Sequence, residues 1–189
     1  MANLTPLHCG QYYHIYNRGN NREPLFREPR NYTYFLNLYT KYINPVAETY
    51  VYCLLKNHFH LLVRIQNCPS LTPSRAFSNL FSTYTKAINK AYKRTGSLFE
   101  KPFKRKIIDN NLYLIHLTTY IHRNPQIHRF VDDFRDWPYS SYNSITSKEI
   151  THIQRAEVLD WFDGQIGFKD AHKQELDQTI IATLIVDDW

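Results

Sequence analysis

The chain has little cysteine, no long hydrophobic run and, over its first two-thirds, very few acids. Cys9, Cys53 and Cys68 are an odd set with no close pair, which excludes a disulfide framework and a zinc knuckle, since both need cysteines at short paired spacings. The apolar runs fall far short of the ~20 residues that a membrane-spanning helix requires. The start Met1-Ala2-Asn3-Leu4-Thr5 lacks a signal-peptide pattern, and neither an internal repeat nor a low-complexity stretch is present. From these absences the expected location is the cytoplasm.

The scarcity of acids is uneven. Residues 1–130 hold 18 Lys and Arg against 5 Asp and Glu, a net +13, whereas residues 131–189 hold 5 bases and 12 acids, a net −7. A body this basic attracts a polyanion, nucleic acid first, so the expected location is the nucleoid. Tyr (15) and Phe (11) are abundant and suit unpaired bases, which stack on aromatic rings, although several sit at helix or strand spacing and belong to a core. The acidic end reads as an extension acting as a lid over the basic site, an oligomer contact or a solubilising cap. At 189 residues the chain supports one core plus that extension.

Alternation and punctuation give an element order. Gln11 to Asn17 reads as a strand ended by the turn residues Arg18-Gly19-Asn20-Asn21. Tyr34, Phe35, Leu38, Tyr39 and Tyr42 form a helical stripe over Arg30–Tyr42, closed by Asn44-Pro45. Val46–Leu55 and His58–Gln66 form two closely connected strands. A helix opens near Pro69–Ser74 and runs to about Arg94, with Phe77, Leu80, Phe81, Tyr84 and Ile88 inward. Phe103–Asp109 is a fourth strand, with Lys104 and Lys106 opposite Phe103, Arg105 and Ile107. A last long helix starts at the N-cap pair Asp109-Asn110 and ends at Asn124-Pro125. Short acidic helices are expected near Arg155–Phe162 and Lys169–Thr179. The order β-α-β-β-α-β-α predicts an α+β, ferredoxin-like (split βαβ) antiparallel sheet with an additional helix and a C-terminal helical extension.

In the third strand, His58 and His60 share one face while Phe59, Leu61 and Val63 share the other. Two imidazoles on a rigid strand make a two-ligand seat for a divalent metal. On the last helix Tyr113, His116, Tyr120 and Asn124 recur at three- and four-residue intervals and share a face. Tyr120 and Asn124 are one turn apart, about 5.4 Å along the axis. Beside a paired-histidine seat, the Asn124 amide oxygen serves as a third ligand and Tyr120 as a nucleophile toward a phosphate. Free tyrosine has a pKa of about 10, so attack at neutral pH needs the metal and nearby cations.

Five collinear blocks span residues 12 to 142: Tyr12-Tyr13-His14-Ile15-Tyr16-Asn17-Arg18-Gly19, Asn57-His58-Phe59-His60-Leu61-Leu62, Leu98-Phe99-Glu100-Lys101-Pro102-Phe103-Lys104, Tyr120-Ile121-His122-Arg123-Asn124-Pro125 and Asp136-Trp137-Pro138-Tyr139-Ser140-Ser141. Together they resemble the HUH single-tyrosine transposases, and the last two blocks resemble the branch called REP-associated tyrosine transposases. The resemblance implies that residues 1–130 are the catalytic domain and 131–189 an extension packed on it. It implies His58, His60 and Asn124 as ligands of Mg²⁺ or Mn²⁺, and Tyr120 as nucleophile. It further implies cleavage and rejoining of single-stranded DNA beside a hairpin or palindromic repeat, through a 5′-phosphotyrosine, by a monomer or homodimer. Lys56 stands where relatives often carry proline, and Tyr113 is the alternative nucleophile.

Arg18, Arg22, Lys56, Arg64, Lys104, Lys106 and Arg123 are the expected DNA contacts, with Arg18 to Arg22 as a guiding segment. The alternatives are a non-catalytic single-stranded nucleic-acid-binding module on the same sheet, for which Tyr120 is dispensable, and a basic scaffold, for which His58 and His60 are.

Overall fold

In the computed structural model, which describes residues 5–67 and 72–175, the aromatic and β-branched segments pair as four strands: β1 (Tyr12–Arg18), β2 (Ala47–Leu54), β3 (His58–Ile65) and β4 (Lys104–Ile108). The sheet order is β2-β3-β1-β4 with every pair antiparallel, the split βαβ arrangement. A register shift between Thr49 and Val51 on β2 adjusts the phase of that strand.

Helices α1 (Pro29–Tyr42) and α2 (Pro73–Ala91) cover one sheet face. Their buried Phe35, Leu38, Phe77, Leu80, Phe81 and Tyr84 pack with Tyr13, Ile15, Phe59, Leu61 and Val63. The opposite face receives α3 (Asn111–Ile127), whose Leu114, Leu117, Tyr120 and Ile121 meet Val51, Cys53 and Leu62. His58 and His60 therefore lie under α3, and Phe59, Leu61 and Val63 point away from it.

The chain past α3 closes this second core. A 3-10 turn at Phe134–Asp136 leads to α4 (Tyr142–Thr146), α5 (Arg155–Asp160) and α6 (Gln165–Ala171), and Phe134, Tyr142, Ile145, Val158, Phe162 and Phe168 share the core of α3. The segment around Trp137–Ser141 caps the outer edge of β2. Leu54 donates to the Tyr139 carbonyl, Ser141 donates to that of Tyr52, both at 2.9 Å, and the Trp137 indole donates to Leu54 O at 2.9 Å. Covering an edge strand in this way satisfies its backbone groups and blocks pairing with another chain.

Several expected boundaries shift. Arg18 belongs to β1, and the turn that follows is a 3-10 segment, Asn20–Arg22, with Asn21 and Arg22 left-handed (φ 53° and 59°). α2 starts at Pro73 and stops at Ala91, short of Arg94. α3 runs through Pro125 to Ile127 rather than ending at Asn124. In place of a helix from Lys169, α6 begins at Gln165. Cys68 and the expected Pro69–Leu71 and 176–179 portions lie outside the described residues.

Candidate active site

β3 carries His58 and His60 to the end of the sheet covered by the last two turns of α3, where Tyr120 and Asn124 stand. The groups converge. The His58 Nε2 is 3.1 Å from Asn124 Oδ1, the His58 and His60 ring centroids are 5.3 Å apart, and the Tyr120 ring lies edge-on to His60 at 5.6 Å. All four are buried, Tyr120 to 1 % exposure. Burial holds His58 down to about 3 and His60 well below its ordinary value, so both rings are neutral at neutral pH, the form that donates a lone pair to a metal.

Both histidines are held from behind. The Asn57 side-chain oxygen accepts from His58 Nδ1 at 2.9 Å, which makes Nε2 the unprotonated nitrogen of the neutral ring. The His60 Nδ1 faces His14 Nε2 at 2.9 Å, which directs the His60 Nε2 toward the same site. Such outer partners fix the tautomer and aim of a metal-ligating histidine. His14 is buried and its own Nδ1 has no hydrogen-bond partner among the described residues.

The donor set fits a small divalent cation. With His58 Nδ1 as the protonated nitrogen, Nε2 and Asn124 Oδ1 face each other acceptor to acceptor, an arrangement a cation between them relieves. Their separation matches the ~3.0 Å between adjacent donors about 2.1 Å from an octahedral ion. Turning the Asn124 amide over would instead make an N–H···N bond and bury its oxygen without that partner. Among the described residues no three His, Cys, Asp or Glu side chains gather at a metal seat; this set has two imidazoles and an amide.

The cations expected at DNA are placed unevenly. Cross-strand registers put Arg18 opposite His58, and Tyr16 between His60 and Lys104. His14 lies opposite Lys106 in the same way. Arg18, Lys104 and Lys106 thus share the histidine face, although Arg18 also pairs with Glu100 at 2.6 Å. Lys56 is exposed in the β2–β3 turn, and Arg22 is exposed beyond β1. Arg64, at the far end of β3, is engaged by Glu48 at 2.7 Å and Glu157 at 3.2 Å. Arg123 reaches the Gln174 carbonyl in the extension. Tyr113 sits two turns before Tyr120, with Lys106 over its ring at 5.1 Å.

Sequence reasoning passed over Asn57, His14 and Tyr16 as site residues. Tyr16 stacks on His14 at 4.6 Å and on His60 at 5.9 Å. The signal for the last two was the period-2 row His14, Tyr16, Arg18, which repeats the His58, His60 logic on the neighbouring strand.

No helix among the described residues is long and apolar enough to cross a membrane. A solved structure of a REP-associated tyrosine transposase bound to a REP hairpin shares this fold, with a TM-score of 0.65 and 18% identity, covering 87% of this chain and 96% of that one. A curated Haemophilus influenzae protein named as a REP-associated tyrosine transposase is 27% identical over 113 residues, which span 54% of this chain and 63% of that protein's length. The family model for IS200-like transposases matches residues 8–124, from before β1 to the asparagine beside the paired histidines, and the chain belongs to that family.

Proposed function

We propose that this protein cleaves and rejoins single-stranded DNA beside hairpin-forming repeats in DNA transposition. The observation that carries the reading is that α3 brings Tyr120 and Asn124 of one chain against His58 and His60 of the same chain. His58, His60 and Asn124 would hold Mg²⁺ or Mn²⁺, which when bound supplies polarisation of the phosphate oxygens. Tyr120 attacks the phosphorus. The bond from its phenolic oxygen to phosphorus forms, the bond to the 3′ oxygen breaks, and that oxygen leaves as a 3′-OH after gaining a proton. The 5′-phosphotyrosine keeps the energy of the phosphodiester, so attack by another 3′-OH rejoins strands without a nucleotide cofactor.

Arg18, Lys104 and Lys106 flank the site and would neutralise the backbone entering it. The Tyr120 hydroxyl is sealed from solvent, so a phosphate reaches it only when α3 or the chain around it shifts. The hairpin specificity is inferred from the relative whose structure holds a REP hairpin.

The test is a denaturing gel of labelled single-stranded hairpin DNA incubated with protein and Mn²⁺. A metal-dependent covalent adduct is expected, absent in Tyr120→Phe and retained in Tyr113→Phe. An adduct that survives Tyr120→Phe and disappears in Tyr113→Phe moves the nucleophile two turns along α3. Binding with no adduct for any hairpin leaves a single-strand binder without chemistry.

A further inference from the structure

Beside α3, on the flank that meets the extension, lies a pocket of about 550 Å³. Its size is within the range of about 300–1,000 Å³ usual for organic ligands. Arg123 and Gln126 of α3, Asp132, Tyr142 of α4 and Lys169 of α6 line it. Two further cations on its wall are engaged, Arg135 by Asp133 and Lys173 by Asp170. Arg123 and Lys169 pair with no carboxylate among the described residues. Arg123 Nη1 donates to the Gln174 carbonyl, and its Nε is buried with no hydrogen-bond partner among the described residues. A buried N–H without an acceptor is costly, and the Nε–Nη2 edge is the fork that takes an oxyanion through two parallel bonds. Tyr142 is a second unsatisfied group. It is 7 % exposed, and its hydroxyl makes no hydrogen bond among the described residues, yet lies close enough to Arg135 and Lys173 to feel both charges.

We propose that this pocket binds a small phosphate monoester, which fastens the extension to α3. The guanidinium edge of Arg123, the ammonium of Lys169 and the Tyr142 hydroxyl supply a fork, a point charge and a neutral donor, a set suited to a phosphate dianion. Asp132 has no cationic partner among the described residues. It repels the phosphate and accepts instead from a hydroxyl or amino group, while the Gln126 amide both donates and accepts. The ligand is therefore an organic phosphate with a polar body, the chemistry shared by sugar phosphates and mononucleotides. Arg123 stands in the same turn of α3 as Tyr120 and Asn124, so an occupant bridging it to Lys169 ties that turn to α6. Since the Tyr120 hydroxyl opens only when α3 or the chain around it shifts, the ligand acts as a brake on strand cleavage. This consequence, unlike the binding, rests on the function proposed above.

Binding is measured by isothermal titration calorimetry of the whole chain at about pH 7.5, where a phosphate monoester is mostly a dianion. The probes are inorganic phosphate, ribose 5-phosphate and the nucleoside 5′-monophosphates. At least one monoester should bind about tenfold more tightly than inorganic phosphate, and whether ribose 5-phosphate suffices or a nucleotide is needed distinguishes the two sources. Lys169→Glu, a change at an exposed position, should weaken that monoester about tenfold or more. Lys104→Gln, on the histidine face, should bind it as wild type does. The same monoester should slow formation of the covalent DNA adduct several-fold in wild type and not in Lys169→Glu. No preference over inorganic phosphate, or equal affinity in wild type and Lys169→Glu, overturns the pocket. A Lys169→Glu defect confined to hairpin-DNA affinity also overturns it, by making this wall a contact for the DNA backbone. Monoester binding that leaves the adduct rate unchanged overturns the brake. If no adduct forms under any condition, the proposed chemistry falls alone, because calorimetry still decides the pocket.

Discussion

At the scale of single residues, the arrangement around His60 explains why a neutral histidine rather than a carboxylate stands behind it. Burial among His14, Tyr16 and Tyr120 makes a buried carboxylate costly, whereas burial keeps His14 uncharged by pushing it down to about 3. With Nδ1 protonated, His14 offers Nε2 as the acceptor that holds His60 Nδ1–H. Replacing His14 by Ala should weaken Mn²⁺ binding by about 10- to 100-fold, the usual effect of losing such a partner, with an unchanged far-ultraviolet circular dichroism spectrum. His14→Gln, whose amide oxygen can accept from His60, should recover part of the loss. Mn²⁺ titration by electron paramagnetic resonance reads both, and wild-type affinity in His14→Ala would show that His60 is aimed by other means. This pairing was not legible in the sequence. His58, His60, Tyr120 and Asn124 declare themselves through local spacing, but His14 meets His60 only through a register between strands 46 residues apart. Arg64 illustrates the converse: it resembled a DNA contact in isolation, and its carboxylate partners come from β2 and from α5, far along the chain.

At the scale of elements, α3 carries two of the four site residues, and its ends are built differently. Asn110 caps the start, its side chain accepting from Leu112 N at 2.8 Å and Tyr113 N at 3.4 Å, as Asp109-Asn110 led one to expect. Pro125 is the surprise. A proline normally ends a helix one residue earlier, because its ring crowds the preceding turn and its nitrogen has no hydrogen to donate. Here the chain continues to Ile127 because the return bonds from His128 N to Asn124 O (3.0 Å) and Phe130 N to Pro125 O (2.8 Å) close the last turn, while Pro125 is buried against the body. Tertiary packing thus overrides a local rule that cost the sequence reading three residues of helix. The C-terminal turn still lacks the bond that a residue at 125 would donate to Ile121 O, so α3 is anchored at its start. Asn110→Ala should lower unfolding stability by about 1 kcal/mol in urea melts while leaving Mn²⁺ affinity within twofold, because the site lies more than two turns away. A loss of metal affinity as large as that for His14→Ala would instead mean that the start of α3 sets the position of Asn124.

At the scale of the whole molecule, the extension is joined to α3 through a buried chain of hydrogen bonds whose direction is determined. His172 Nδ1 donates to the Phe168 carbonyl at 2.7 Å, so its Nε2 is an acceptor and takes the proton of His122 Nδ1 at 2.8 Å. His122 Nε2 in turn accepts from Ser141 Oγ at 2.8 Å, and Ser141 accepts from Tyr52 N of β2 at 2.9 Å. Helix α3, the segment that caps β2 and the C-terminal end of α6 meet in one neutral network. The acidic composition of residues 131–189 announced an extension but not this junction, which depends on Phe168 and His172 entering a core assembled from distant elements. The network should make the fold sensitive to acid. Burial lowers His172 to about 4, below the 6.5 of an exposed imidazole, so the unfolded chain binds the extra proton between those values. Its contribution is complete above about pH 6.5 and is lost as the pH falls toward 4. From pH 7 to pH 5 the loss is about 2 kcal/mol, equivalent to about 4–8 °C in Tm for a chain of this size. Thermal melts should show wild type losing that much more Tm over the interval than His172→Gln, which has no imidazole to charge. Equal losses would mean that His172 stays uncharged over this range in the folded and unfolded chains alike, or takes up a proton in both, and that the acid sensitivity of the fold lies in its other buried histidines.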